Sequence, residues 1–322
     1  MVRTLDLFCG AGGSSLGARQ AGASIVCGVD ADEIAARAYA ANFGQAASRC
    51  LRLHEGSKPS DLGNIGSIDL LLASPECTHH TCARGSKPRD DESRRTANYV
   101  IAFAGSLRPR WVVIENVIHM RSWHGYEAVI RGLEDLGYSV SAQVLNASDF
   151  GVPQNRRRLF LVADLAEEPP AITGTRKRPL AAATIIDPPG TWGSRPLYRE
   201  GRARGTIERA ERAIAALGEG HDFLIVYYGS DGSGGWQRLD QPLRTMTTLD
   251  RFGLVTWQLG QPMLRMLQVP ELRRAMGFPR NSTLSGRRRD QIRLLGNGVA
   301  PPVMKAIVEQ LCMRDAVAVA AE

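Results

Sequence analysis

Cys77 is the residue whose type and position point most directly to chemistry. It follows Ile68-Asp69-Leu70-Leu71-Leu72-Ala73-Ser74-Pro75-Glu76, whose apolar part reads as a strand buried on both faces and stopped by Pro75. A cysteine just beyond the carboxyl end of such a strand stands where open α/β sheets place ligands, which suits a nucleophile. The same segment allows a second chemistry, because Cys77, His79, His80 and Cys82 offer soft metal ligands at close spacing. Zinc patterns need a second ligand pair at a distance, and Cys9, Cys27, Cys50 and Cys312 are scattered. Alone, the segment leaves both readings standing.

Three other groups of residues could act at the same edge of a sheet. The strand Trp111-Val112-Val113-Ile114 ends in Glu115-Asn116-Val117. That carboxylate shares a rim with Cys77 if the two strands are parallel neighbours, and an acid beside a nucleophile is what general acid catalysis needs. Gln154-Asn155-Arg156-Arg157-Arg158 puts Arg156 and Arg158 on one face of an extended segment. They could clamp phosphate, bind a base carbonyl or orient Glu115; an ordinary basic edge strand is the plainer account. Near the start, the strand Thr4 to Phe8 runs into Cys9-Gly10-Ala11-Gly12-Gly13-Ser14-Ser15 and a helix from Leu16 to Ala21. Strand, Gly-rich turn and helix bring backbone close to a nucleotide-like ligand, although the glycines depart from G-x-G-x-x-G spacing. A second strand, Ser24 to Val29, ends in Asp30, placed to hydrogen-bond ribose hydroxyls or to cap the helix that begins near Glu33.

The elements that must position these residues follow from periodicity. Arg84 to Arg95 reads as a polar loop that could close over a substrate, Asn98 to Leu107 as a helix with a buried stripe, and Ser139 to Leu145 and Arg158 to Ala163 as strands. From Ala166 the composition changes: Pro169-Pro170, Pro179 and Pro188-Pro189-Gly190 interrupt the pattern. Beyond lie a helix from Thr206 to Leu217, a strand from Phe223 to Tyr228 and a Gly/Ser loop from Gly229 to Gly235. Strands are expected at Leu243–Thr248 and Phe252–Trp257, and helices at Pro270–Met276 and from about Pro302 to Leu311, with a frayed Ala/Val tail.

The 322 residues make one large domain or two modest ones, and 43% hydrophobic with 23% charged residues is an ordinary soluble composition. No apolar run approaches the ~20 residues of a membrane span. No signal peptide is expected ahead of the first strand, and six dispersed cysteines fit a reducing, cytoplasmic setting. The net charge of +7 suits a polyanionic partner. Its 40 basic residues are 36 Arg and 4 Lys; arginine matches phosphate and guanine bidentately, and GC-rich coding accounts for part of the excess.

Taken in order, these segments resemble the cytosine-C5 DNA methyltransferases over most of the chain. Asp6-Leu7-Phe8-Cys9-Gly10-Ala11-Gly12-Gly13 looks like their first motif, Glu115-Asn116-Val117 like the Glu-Asn-Val motif, and Gln154-x-Arg156-x-Arg158 like the Gln-x-Arg-x-Arg motif. Pro242-Leu243-Arg244-Thr245 resembles the motif after the recognition region, and Gly296-Asn297-Gly298-Val299-Ala300-Pro301 the last motif, which returns to the cofactor. The resemblance implies an α/β, Rossmann-like S-adenosylmethionine-dependent methyltransferase fold. Residues 1–165 and 288–322 would form the large catalytic and cofactor-binding domain, and 166–287 a small target recognition domain. It also implies double-stranded DNA as partner, no metal, no membrane, a monomer, a cytoplasmic location and a link to restriction–modification.

In that family's chemistry a thiolate adds to cytosine C6 so that C5 can accept a methyl group. The resemblance assigns the attack to Cys77, proton delivery at N3 to Glu115, the O2 contact to Arg156, and orientation of Glu115 or the loop to Arg158. S-adenosylmethionine would be held by Asp6, Phe8, Gly10, Gly12, Gly13, Asp30, Ala31, Pro75, Asn297 and Gly298. His79 and His80 then become loop residues near the substrate.

Three departures stand out. Glu76 separates Pro75 from Cys77 where the family usually has Pro directly before the nucleophile, a Ser-Pro-Glu-Cys form found in a minority branch; its charge opposes thiolate formation. No Asp near Leu51-Arg52-Leu53 stands ready to contact adenine, and Ala166 to Asp240 is short for target recognition. A tRNA cytosine-C5 methyltransferase and a non-catalytic DNA-binding regulator derived from the fold are the alternatives.

Overall fold

Apolar runs alternate with amphipathic helices through the first half of the chain, which dictates a parallel sheet covered on both faces. The computed structural model describes residues 1–75, 91–228 and 234–319. Its strands are β1 (Arg3–Leu7), β2 (Ser24–Asp30), β3 (Ser48–Cys50), β4 (Leu70–Ala73), β5 (Trp111–Asn116), β6 (Ser139–Asn146), β7 (Arg157–Asp164), β8 (Arg195–Pro196), β9 (Phe223–Val226), β10 (Trp236–Arg238), β11 (Phe252–Gln258) and β12 (Gln261–Met266). Its α-helices are α1 (Gly13–Gln20), α2 (Glu33–Phe43), α3 (Asp91–Leu107), α4 (Tyr126–Glu134), α5 (Arg204–Leu217), α6 (Val269–Ala275), α7 (Arg288–Asn297) and α8 (Pro301–Val319).

The large sheet has the order β3-β2-β1-β4-β5-β7-β6. Strands β1 to β5 pair in parallel, and β7 runs antiparallel between β5 and β6. Val100 and Phe103 of α3 and Val129 and Leu133 of α4 pack on Leu5, Leu7, Leu71 and Ile114. On the other face Ala18 of α1 and Met304 and Ile307 of α8 pack on Leu70, Leu72, Val113 and Phe160. This is the α/β Rossmann-like arrangement. The strand order reverses between β1 and β4, and the crevice beyond their carboxyl ends is where such sheets bind ligands.

The second sheet, β10-β9-β11-β12-β8, is antiparallel throughout. Alternation along β9 buries both of its faces. Phe223 and Ile225 meet Ala210 and Ala213 of α5. Leu224 and Val226 share a core with Leu272 of α6, Leu295 of α7 and Leu16 of α1. The chain crosses to this sheet only after Thr173. Gln143 donates to the Pro170 carbonyl and accepts from Ile172 N, and Thr173 N donates to Gln310 on α8, so residues 166–173 lie against the large sheet.

Several elements differ from the sequence reading. The helix expected from Asn98 begins at Asp91, so residues 91–95 of the expected loop are helical and 84–90 lie outside the described residues. Leu243–Thr248 is not a strand. Its backbone is spent on one parallel bridge to Gln154, flanked by Leu243 N to Pro153 O and Asn155 N to Leu243 O, which stitches it to the large unit. Helix α8 continues through Val319. Residues 229–233 of the Gly/Ser loop lie outside the described residues. Among the described residues no helix is long and apolar enough to cross a membrane.

One buried polar chain ties β1 to two helices. Ser15 Oγ donates to Asp6 Oδ2 at 2.7 Å, so Tyr39 must be the donor across the 2.7 Å contact between its hydroxyl and Ser15 Oγ. Asp6 is fully buried and its Oδ1 has no hydrogen-bond partner. Burial therefore pushes its carboxyl from 3.8 to about 7, against the opposing Ser15 hydrogen bond. Because the folded value is the higher one, the stabilising protonated form is complete below the unfolded value and is lost as pH rises through the folded one. Stability should fall between about pH 4 and 7, by a few kcal/mol at most. Asp6→Asn should remove that fall. Urea midpoints of both proteins across this range check it, and parallel curves would refute the assignment.

Candidate active site

The carboxyl rim of the parallel sheet gathers most of the candidate residues around one cavity of about 470 Å³. β4 and β5 are in register at Ala73 and Ile114, so Ser74-Pro75 leaves the sheet beside Glu115-Asn116. Asn116 Nδ2 fixes this junction by donating to the Pro75 carbonyl at 3.2 Å. Cys77 lies outside the described residues, as do Glu76, His79, His80 and Cys82. Cys9 is no substitute as nucleophile: burial, with Asp6 and Asp30 nearby, pushes its thiol well above the ordinary range.

Glu115 is 6% exposed and lines the cavity with Pro75, Arg156 and Arg158. Opposite Glu115 in the β5–β7 ladder is Phe160, and Arg158, two residues before Phe160, shares its face. The Arg158 Nε stands 3.3 Å from Glu115 Oε1. Burial raises the Glu115 carboxyl above its ordinary 4.5, while Arg158, Arg156 and the Ser74 hydroxyl pull it back. The site thus holds an acid whose carboxyl binds its proton more tightly than an exposed glutamate does.

Arg156, expected to hold a base carbonyl, reaches main-chain carbonyls here. Its side chain is buried and its terminal nitrogens donate to three main-chain oxygens: Met246 at 3.1 Å, Gly296 at 2.7 Å and Gly298 at 2.9 Å. Those bonds tie the head of β7 to two other segments. Arg158, paired with Glu115, is the arginine beside the acid.

The Gly-rich turn forms the opposite wall. Gly10 N donates to Asp30 Oδ2 at 2.8 Å and Asp32 N to Asp30 Oδ1 at 2.9 Å, so the carboxylate at the end of β2 organises both loops. Asp32, not Asp30, caps α2 by accepting from Ile34 N. Gly10 has φ +54°, and a Cβ there would meet nothing within 4 Å, which leaves its backbone open to a ligand. Phe8 also has positive φ, at 58°, costly for an aromatic residue and a mark of functional sites.

Of the ten cofactor candidates, Phe8, Gly10, Asp30, Ala31, Pro75, Asn297 and Gly298 line the cavity; Asp6, Gly12 and Gly13 do not. Asp6 points to Ser15 beneath the turn. A Cβ on Gly12 would stand 2.4 Å from the Phe43 ring, and one on Gly13 would stand 2.1 Å from Val299 O. These two glycines serve close packing between elements.

Sequence reasoning missed Ser74, Thr248 and the Asp32–Arg293 ion pair on the cavity wall. Burial raises Asp32, but hydrogen bonds from Arg293 and Ile34 outweigh it and hold the carboxyl low. Arg293 precedes Asn297 by four residues, a spacing that puts both on one face of α7. Arg52 lines the cavity where an adenine-contacting acid was sought. Among the described residues no group of three or more His, Cys, Asp or Glu could hold a metal.

The residues fit a nucleoside-bearing cofactor such as S-adenosylmethionine. An aromatic ring, an open glycine backbone and a carboxylate meet in one cavity within the size range of cofactor sites. Asn297 is exposed on its wall, with no hydrogen bond from its amide among the described residues.

Comparison with known proteins gives the same frame. The sequence profile of the C-5 cytosine-specific DNA methylases matches residues 2–186 and 225–313. The Type II methyltransferase M.XorII of Xanthomonas oryzae is 34% identical over 167 residues, which is 49% of this chain and 39% of that protein. The first such relatives are thus matched over roughly half of their length or less. M.NlaX of Neisseria lactamica is 26% identical over 97% of this chain and 96% of its own. A Spodoptera frugiperda DNMT2 triple mutant superposes with a TM-score of 0.70 over 97% of this chain and all of its own at 19% identity, which speaks for the fold alone.

Replacing Arg158 by Met removes the largest influence that lowers the Glu115 carboxyl. The Glu115 titration midpoint, followed by NMR on protein with ¹³C-labelled glutamate, should then move upward; an unchanged or lower midpoint would contradict the pairing.

Proposed function

The chain belongs to the C-5 cytosine-specific DNA methylase family, and from that membership and the geometry of the cavity we propose that it methylates C5 of cytosine in double-stranded DNA. The observation that carries this reading is the convergence of Pro75, Glu115 and Arg158 on one cavity with Phe8, Gly10 and Asp30. An acid with its arginine thus faces a nucleotide-type site directly beside the segment that leads to Cys77.

The residues divide the work. Cytosine C5 is too weak a nucleophile to accept methyl directly. Addition of the Cys77 thiolate to C6 makes C5 enamine-like, and sulfur leaves after the C5 proton is lost. Glu115, its carboxyl raised by burial, donates a proton toward N3 as electron density builds on the ring. Arg158 holds Glu115 in place and offers positive charge to the developing anion. S-adenosylmethionine supplies the electrophilic methyl group. Asp30 would hold its ribose hydroxyls, Phe8 would pack against its adenine, and Asn297 would offer its free amide. The base reaches this rim only after leaving the duplex, at a cost of a few kcal/mol, and the excess of arginine supplies phosphate contacts sensitive to salt. The relatives named Type II methyltransferases support a role beside restriction; the protein would act there as a monomer in the cytoplasm.

Mixing protein, S-adenosylmethionine and duplex containing 5-fluorocytosine tests the reading, because fluorine at C5 cannot leave as a proton does. Intact mass should reveal a methylated covalent adduct that is absent from Cys77→Ala. Glu115→Gln should slow adduct formation by about 10²-fold or more. An adduct that persists in Cys77→Ala, or one formed on RNA and not on DNA, would overturn the proposal.

A further inference from the structure

The buried Arg156 sits at the carboxyl end of α7. A helix terminus leaves its last carbonyls without intrahelical partners and carries partial negative charge. Arg156 answers both needs from another element, donating to Gly296 O in the last turn and to Gly298 O at the C-cap. The turn it holds carries Asn297 into the cavity. On its far side Val299 O packs against Gly13 at the head of α1, where even a Cβ would collide. The same guanidinium donates to Met246 O, in the connector between β10 and β11 of the second sheet. Next to it, Thr247 O packs so closely on Gly296 that a Cβ there would lie at 2.3 Å. The connector also reaches the cavity through Thr248.

We propose that Arg156 is a positioning residue that holds the 296–300 turn in its cofactor-binding shape and locks it to the 246–248 connector. Cofactor affinity and placement of the second sheet then depend on one buried cation. Neutral replacements leave the buried Gly296 carbonyl and the partly buried Gly298 carbonyl without this donor, and Lys restores the charge without the fork that reaches three oxygens. This inference rests on reading the cavity as the S-adenosylmethionine site.

The test compares wild type, Arg156→Met, Arg156→Lys and Arg158→Met by calorimetric titration with S-adenosylmethionine, steady-state methylation of DNA and hydrogen exchange. Arg156→Met should weaken cofactor binding about tenfold or more, with a larger effect on the KM for cofactor than on kcat. Arg156→Lys should fall between it and wild type. Amides of both 246–248 and 296–300 should exchange faster in the Arg156 variants. Arg158→Met should lose kcat while binding cofactor as wild type does. Wild-type cofactor affinity in Arg156→Met with a collapsed kcat would overturn the proposal and return Arg156 to the base. If Arg156→Met fails to fold, Arg156→Lys decides: unaltered affinity and exchange refute the proposal. A wild-type protein that binds no S-adenosylmethionine would refute it at its root. Binding without an adduct on 5-fluorocytosine DNA would sink only the proposed reaction.

Discussion

Parallel pairing of β1, β2, β4 and β5 puts the carboxyl ends of all four on one rim, and the rest of the site depends on this constraint. Asp30 and Glu115 lie at the carboxyl ends of β2 and β5, and Pro75 follows β4 by two residues. The one antiparallel strand in the core of the sheet, β7, obeys the same geometry in reverse: its beginning lies on that rim. That is why Arg156 and Arg158 stand at the head of their strand while the acids stand at the foot of theirs. A two-residue period then puts both arginines on the Glu115 side.

Burial sets the electrostatics of this rim. Glu115 would be costly as an isolated anion in an apolar wall; desolvation and Arg158 act against each other, and desolvation wins, so the carboxyl is raised. Arg156, equally buried, finds main-chain carbonyls instead of an acid. Dipoles at the end of a helix can solvate a cation without cancelling its charge, so Arg156 still acts on Glu115 from a distance.

The two sheets are joined by a shared core and by a short run of bonds between side chains and main chain. Gln154 is fully buried, accepts from Met246 N and donates to Ala275 O. Tyr228 and Asn155 both bond to Thr245. Together with Leu16, Leu272 and Leu295 in one cluster, these contacts make the second unit an extension of the first. A charge-rich, proline-punctuated segment reads as a boundary in sequence. In space it is a bridge, with residues as late as Thr173 still lying on the large sheet.

The sequence by itself determined the class of fold and most of the rim. Apolar runs of strand length, helical periodicity between them and a break after each strand suffice to name Gly10, Asp30 and Glu115, because local pattern decides which residues end a buried strand or line a turn. Phe8, Pro75 and Asn297 are named by the resemblance of their motifs to the family. Tertiary structure alone decided what each polar group touches. Asp6 and Gly13 carry the same motif signal as Gly10, yet one turns beneath the loop to Ser15 and the other packs on Val299. Arg156 and Arg158 are indistinguishable by type and spacing. Their roles separate only because the end of α7, more than a hundred residues later, reaches Arg156 and leaves Arg158 to Glu115. Side-chain partners set by such long-range packing carry no local signature, since neither Glu115 nor Gly296 is a near neighbour of the arginines along the chain.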